Sequence, residues 1–279
     1  MSSDEPTGAT LSYRRILEQE MENALKEINR PAKGVFLSGI SAGLNVSFGA
    51  LFMGMALSYA GGFSSSLVEQ GVLAALSSVG FVFVILGQTE LFTAHTTMAV
   101  IPVLDGRATL RELLGLWGVV YVSNLVGCAL FAGLIAGLGP ALGVVQPSAF
   151  GTIAQAVVPY PWWVILLSGV VAGWLMGLAT WLVAASLDAI SRVVLVLLTT
   201  AAIGFGPFHH ALLGSTEMLA AMFLGQGVTP AQFATVLAWT TIGNVVGGGV
   251  FVALLNYGHV ALAGEKVDVD FDPETEMND

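Results

Sequence analysis

Charge and cysteine are what this 279-residue sequence has least of. Only 10% of its residues are charged and 55% are hydrophobic, whereas soluble domains carry about 25% charged residues. That balance excludes a water-soluble globular enzyme. The single cysteine, Cys128, lies in an apolar run. It can form neither an internal disulfide nor a Cys-based metal site, and it reads as a small buried hydrophobe. The nine Lys and Arg residues form no basic patch, so nucleic acid is excluded as a partner. There is no Ser-His-Asp spacing, phosphate loop or HExxH pair, so no hydrolase, ATPase, cofactor or metal reading has support. The first 34 residues are polar and charged, and the first apolar run follows at full spanning length, so no cleavable signal peptide is expected.

Apolar runs long enough to cross a bilayer are what is there. Mean hydropathy is +0.81, and the runs are Val35 to Tyr59, Gly71 to Val103, Leu113 to Leu138, Trp162 to Leu187, Val193 to Gly225 and Phe233 to Leu262. They predict an all-α polytopic membrane protein with six spans. Its 34 glycines suit helices that must approach closely where lipid gives no hydrophobic drive for association. All nine cations fall before span one, in the loops joining spans two to three and four to five, or after span six. The positive-inside rule therefore puts both termini in the cytoplasm. Tyr160, Trp162 and Trp163 mark the opposite interface at the start of span four.

The net charge of −10 gathers at the ends. Residues 1–32 form a cytoplasmic segment in which Leu17, Met21, Leu25 and Ile28 recur at helical spacing, predicting an amphipathic helix that packs at, or gates, the cytoplasmic mouth. Residues 33–262 form the spanning domain. Residues 263–279 are an acidic tail, with seven carboxylates from Glu265 onward, expected to be solvated and disordered.

Three short segments recur in order. SGISAG at 38–43 is answered by SGVVAG at 168–173, GQTELF at 87–92 by GSTEML at 214–219, and SNLVG at 123–127 by GNVVG at 243–247. These predict a duplicated three-span unit, and an odd number of spans makes the repeat inverted. Spans two and five run to 33 residues each, about 50 Å as straight helices against a hydrocarbon core of about 30 Å. Both should be interrupted, span two near Gly87 to Glu90 and span five between Gly204 and Glu217. Irregular backbone at that depth must be buried in protein or line a pathway. Gly87, Gly214, Asn124 and Asn244 are the residues expected to support the breaks.

At these residues the sequence resembles the formate/nitrite transporter family, through GQTELFT at 87–93, NLVG at 124–127, FHH at 208–210 and GNVVGGG at 243–249. The resemblance covers residues 33–262. It implies an aquaporin-like channel in the cell (inner) membrane, assembled as a homopentamer with a pore in each subunit. It places the pore histidine at His210, its threonine partner at Thr93, the inner constriction at Leu91 and the outer one at Phe81 and Ile203. It further implies a channel for a small monovalent anion or its weak acid, formate or nitrite, linked to a proton through that histidine. Imidazole, which titrates near neutral pH, suits that role.

Two departures leave alternatives open. The family's lysine near the external start of span four has no counterpart in Gln155 to Pro161, and Glu217 stands where a neutral residue is expected. Glu217, Glu90 and His209 are accordingly counted with the pathway, Glu90 also as an acceptor for backbone N–H groups at its break. A channel for a small cation or weak base, such as potassium or ammonium, is the second reading. A non-transport signalling or interaction protein is the third.

Overall fold

The computed structural model describes residues 11–59, 61–262 and 269, with His95 described only in its backbone. Nearly all of the acidic tail therefore lies outside the described residues, as does the side chain of His95. The long elements are α2 (Ala32–Tyr59), α3 (Ser66–Leu86), α6 (Leu110–Ala141), α8 (Trp162–Ala185) and the run of α11 (Pro230–Gly248), a π-helical stretch (Gly249–Leu254) and α12 (Leu255–Leu262). All five are long and apolar enough to span a bilayer. Between them lie α4 (Phe92–Met98), α5 (Val100–Leu104), α9 (Ala189–Phe205) and α10 (Ala211–Phe223). None of these four reaches the roughly 20 residues that a straight span needs. With its apolar helices and with Leu130, Leu134 and Leu138 each more than half exposed, the chain is a multi-pass membrane protein.

Glycine sets the closest helix contacts. α2 lies along α6, and α8 along α11. A Cβ on Gly43 would collide with the backbone of Asn124 and Gly127, and one on Gly173 with the backbone of Asn244. Backbones meeting this closely gain dispersion contacts and bring Asn124 and Asn244 within reach of the facing helix.

The N-terminal amphipathic helix is α1 (Tyr13–Asn29), capped by Ser12, whose side chain accepts from the Arg15 amide. Ile16, Leu17, Met21 and Leu25 are buried in a second apolar cluster with Ile101, Trp181, Ala184 and Val252. α1 thus folds back onto α5 and α8. The short α7 (Pro147–Gln155) has no counterpart in the sequence reading. It begins with Pro147 in its first turn, buries Phe150, Ile153 and Ala154, and packs on α2 and α10.

Candidate functional site

Two helix breaks face each other at the centre of the fold. The first spans residues 87–91, between α3 and α4; the second spans 206–210, between α9 and α10. Several backbone groups there lack a helical partner, and each unsatisfied one would be costly away from water. Side chains of neighbouring helices satisfy several of them. Asn124 accepts from the Phe92 amide at 2.9 Å and donates to the carbonyls of Gly39 and Glu90 at 2.8 Å each. Asn244 accepts from the Ala211 amide at 2.9 Å and donates to the carbonyls of Gly169 at 2.8 Å and His209 at 3.0 Å. Ser38 Oγ accepts from the Glu90 amide at 3.2 Å, and Ser168 Oγ from the His209 amide at 3.0 Å.

These matched contacts correct the register read from the sequence. Phe92 corresponds to Ala211 and Glu90 to His209, an offset of 119 (211 − 92 and 209 − 90). The partner of GQTELF is therefore GPFHHA at 206–211, not GSTEML. Gly214 and Glu217 sit inside α10, so Gly214 does not support a break. It lines a cavity instead, with open space where a Cβ would stand. At the first break Gly87 takes ordinary right-handed angles, and Gln88 adopts the left-handed φ of 50°. For a non-glycine residue that conformation costs about 1–2 kcal/mol. Gly87 is needed for space, because a Cβ there would strike the Phe83 carbonyl.

His210 is the N-cap of α10. Its Nδ1 accepts from the Leu213 amide at 3.3 Å, and its Nε2 lies 3.0 Å from Thr93 Oγ1. With Nδ1 accepting, the neutral ring carries its proton on Nε2 and donates it to Thr93. The ring of Phe81 meets His210 edge-on, with centroids 4.9 Å apart. Phe81, Leu91, Thr93, Ile203 and His210 are all buried, so the five predicted residues lie in the same buried interior.

A cavity approaches this group from each end, and the two share no lining residue. One, of about 140 Å³, reaches Phe81, Ile203 and His210. The other, of about 490 Å³, is walled by α1 and α3 and reaches Val84 and Glu90. Phe81 and Val84 are three residues apart on α3, about 4.5 Å of helix rise. Thus the barrier between the cavities is thin on that wall. Leu91 and Thr93 line neither cavity and belong to the barrier.

The remaining candidates lie around this centre. The Glu90 carboxylate accepts from Arg30 Nη1 at 3.0 Å and lines the larger cavity, while Asn124 and Ser38 bind the backbone of the same residue. His209 donates from Nε2 to the Val157 carbonyl at 2.8 Å and accepts from Ser168 Oγ at 2.8 Å through Nδ1. It ties the cation-free 155–161 segment to the second break. Arg30, Ser38 and Ser168 were missed as site residues. Both serines open the repeated SGISAG and SGVVAG segments, so that signal was present; Arg30 acts across 60 residues of sequence and gave none. Among the described residues no group of three His, Cys, Asp or Glu side chains could hold a metal.

Half-helices meeting at a buried centre, with a cavity on either side and a thin apolar barrier between, define a membrane channel or transporter. The formate/nitrite transporter profile matches residues 14–258, and this chain belongs to that family, whose members are transporters and channels, not enzymes. A probable formate transporter of Methanothermobacter thermautotrophicus is 31% identical over 252 residues, covering 83% of this chain and 90% of that one. The fold matches an FNT family ion channel with a TM-score of 0.79 at 23% identity, covering 88% of this chain and 98% of that one. It also matches a pentameric formate channel with formate bound, with a TM-score of 0.69 at 22% identity, covering 83% of this chain and 98% of that one.

Proposed function

We propose that the chain is a channel for a small monovalent anion that crosses as its weak acid, formate or nitrite, with crossing linked to a proton through His210. The observation that carries this reading is the hydrogen bond between His210 and Thr93. It lies where α4 and α10 both begin, between the two cavities. Helix N-termini carry about +0.5 of an elementary charge each, so two of them converging on one point favour a guest with negative charge or a strong acceptor. The apolar barrier of Phe81, Ile203 and Leu91 disfavours a bare ion, whose desolvation costs far more than that of the neutral acid. A proton taken up by the imidazole as imidazolium and passed to the anion, which leaves the neutral ring behind, reconciles the two demands.

The matched clamps of Asn124 and Asn244 support an inverted three-plus-three repeat. In it, α3 with α4 and α5 is span two, and α9 with α10 is span five. The cations Lys26, Arg30 and Arg192 around the larger cavity support a cytoplasmic location for it and for both termini, in an inner membrane. Residues 1–32, 33–262 and 263–279 then serve as mouth segment, channel and cytoplasmic tail. The similar formate channel is pentameric, which supports a homopentamer here.

Uptake of formate, nitrite, chloride, ammonium and potassium into proteoliposomes tests the reading. Formate or nitrite flux is expected; a potassium or ammonium current with neither acid carried rejects it.

A further inference from the structure

The smaller cavity holds a carboxylate that the weak-acid pathway leaves unused. Glu217 is 6% exposed, and its side chain forms no hydrogen bond or ion pair with any described residue. It lies seven residues after His210 on the same face of α10, about 10 Å farther along the axis, and both line this cavity. Thr240 of α11 lines it too, and its Oγ1 is buried with no hydrogen-bond partner. The other hydroxyls of the wall are occupied: Ser77 donates to the Ala74 carbonyl, Thr152 to the Ser148 carbonyl and Thr200 to the Val196 carbonyl. No Lys or Arg is among the lining residues, whereas the aromatic rings of Phe81 and Phe208 are.

An ionised carboxylate in such a wall is costly unless something offsets its charge, and a buried hydroxyl without a partner adds to the cost. A guest that offsets both is a cation that donates hydrogen bonds, and the aromatic faces would add cation–π attraction. A divalent metal would have to keep most of its waters here, since the wall offers only Glu217, Thr240 and, at the rim, Glu69 as carboxylate or free hydroxyl ligands, and leaving water costs a doubly charged ion more than a singly charged one. The cavity volume of about 140 Å³ admits several guests of the size of water, each about 30 Å³. We propose that Glu217 and Thr240 form a binding site for a small monovalent cation of the ammonium class, separate from the His210–Thr93 centre.

The test is thermal unfolding of the purified full-length protein in ammonium, methylammonium, sodium or choline chloride at matched ionic strength, at several fixed pH values. Ammonium and methylammonium are expected to raise the midpoint by about 2–5 °C over sodium and choline. Glu217→Gln and Thr240→Val should each remove that rise, and Glu69→Gln at the cavity rim should keep it. Equal midpoints in ammonium and sodium overturn the proposal, as does a rise that survives Glu217→Gln. A midpoint that follows pH and ignores ammonium also overturns it, assigning Glu217 a proton only. If Glu217→Gln does not fold, Thr240→Val and the wild-type contrast between ammonium and sodium decide the matter. The readout does not involve anion flux, so its failure is distinct from failure of the weak-acid reading.

Discussion

Removing the Asn244 side chain should loosen the second break and displace His210 without touching the ring itself. Asn244 is fully buried, and Asn244→Ala removes its three hydrogen bonds, to Ala211, Gly169 and His209. Side-chain hydrogen bonds inside membrane proteins average roughly 0.6 kcal/mol with a maximum near 1.7, so three give a loss of about 2 kcal/mol and at most about 5. Asn244→Asp is the sharper probe. It keeps the acceptor for the Ala211 amide but turns oxygen lone pairs toward two carbonyls that now have no donor, so its loss should equal or exceed that of Asn244→Ala. Denaturant unfolding of the reconstituted protein measures the stability, and formate uptake in the same vesicles reads the site. Asn124→Ala should repeat the effect at the first break, and the two losses should add, because the clamps share no hydrogen-bond partner. If Asn244→Ala stays within about 0.5 kcal/mol of wild type with unchanged uptake, the clamp does not hold the break.

Three further outcomes follow from the packing and the termini. Gly173→Leu should abolish folding, because the Asn244 backbone occupies the space of even a Cβ, whereas Gly214→Ala, facing open space, should be accepted; expression and monodispersity in detergent check both. Arg30→Ala should cost more than loss of an ordinary surface pair, since the Arg30 side chain is 41% exposed but the Glu90 side chain it leaves is only 8% exposed; unfolding midpoints at low and high salt measure it, and a shift that high salt abolishes would show a screened pair instead. Hydrogen bonds from the Thr109 backbone and hydroxyl hold the Glu112 carboxyl below its ordinary range. Its contribution is therefore present above the unfolded value and lost as pH falls through the lowered one. Thr109→Ala should flatten that acid-side loss in a pH series of unfolding curves.

The spans were legible because hydropathy and length are averaged over 20 or more residues, which smooths local ambiguity. The observed helices begin and end within a few residues of the apolar runs, and the first break fell at Gly87 to Glu90 as the excess length of its run demanded. The second break, at 206–210, fell inside the expected window of Gly204 to Glu217, but its pairing with the first was read in the wrong register. GSTE resembles GQTE letter by letter, whereas the true partner, GPFHHA, shares with GQTELF only its opening glycine. The equivalence lies in which backbone groups Asn124, Asn244 and the two serines bind, and hydrogen bonds across 32 to 85 residues leave no local pattern. α7 escaped notice because nine residues make too short an apolar face. Arg30 read only as one more flanking cation, because its pairing with Glu90 depends on how α1 and the chain after it fold back over the larger cavity.

The most direct test of the central claim is the pH dependence of formate and nitrite uptake in proteoliposomes containing wild type, His210→Asn or His210→Phe, with assembly of each variant verified by size. The wild type should carry at least one of the two acids with uptake that rises as external pH falls. Both variants should assemble and lose the pH-dependent flux, because neither side chain can take up and release a proton between pH 5 and 8. Wild-type uptake with an unchanged pH profile in both variants would contradict the proposed role of His210.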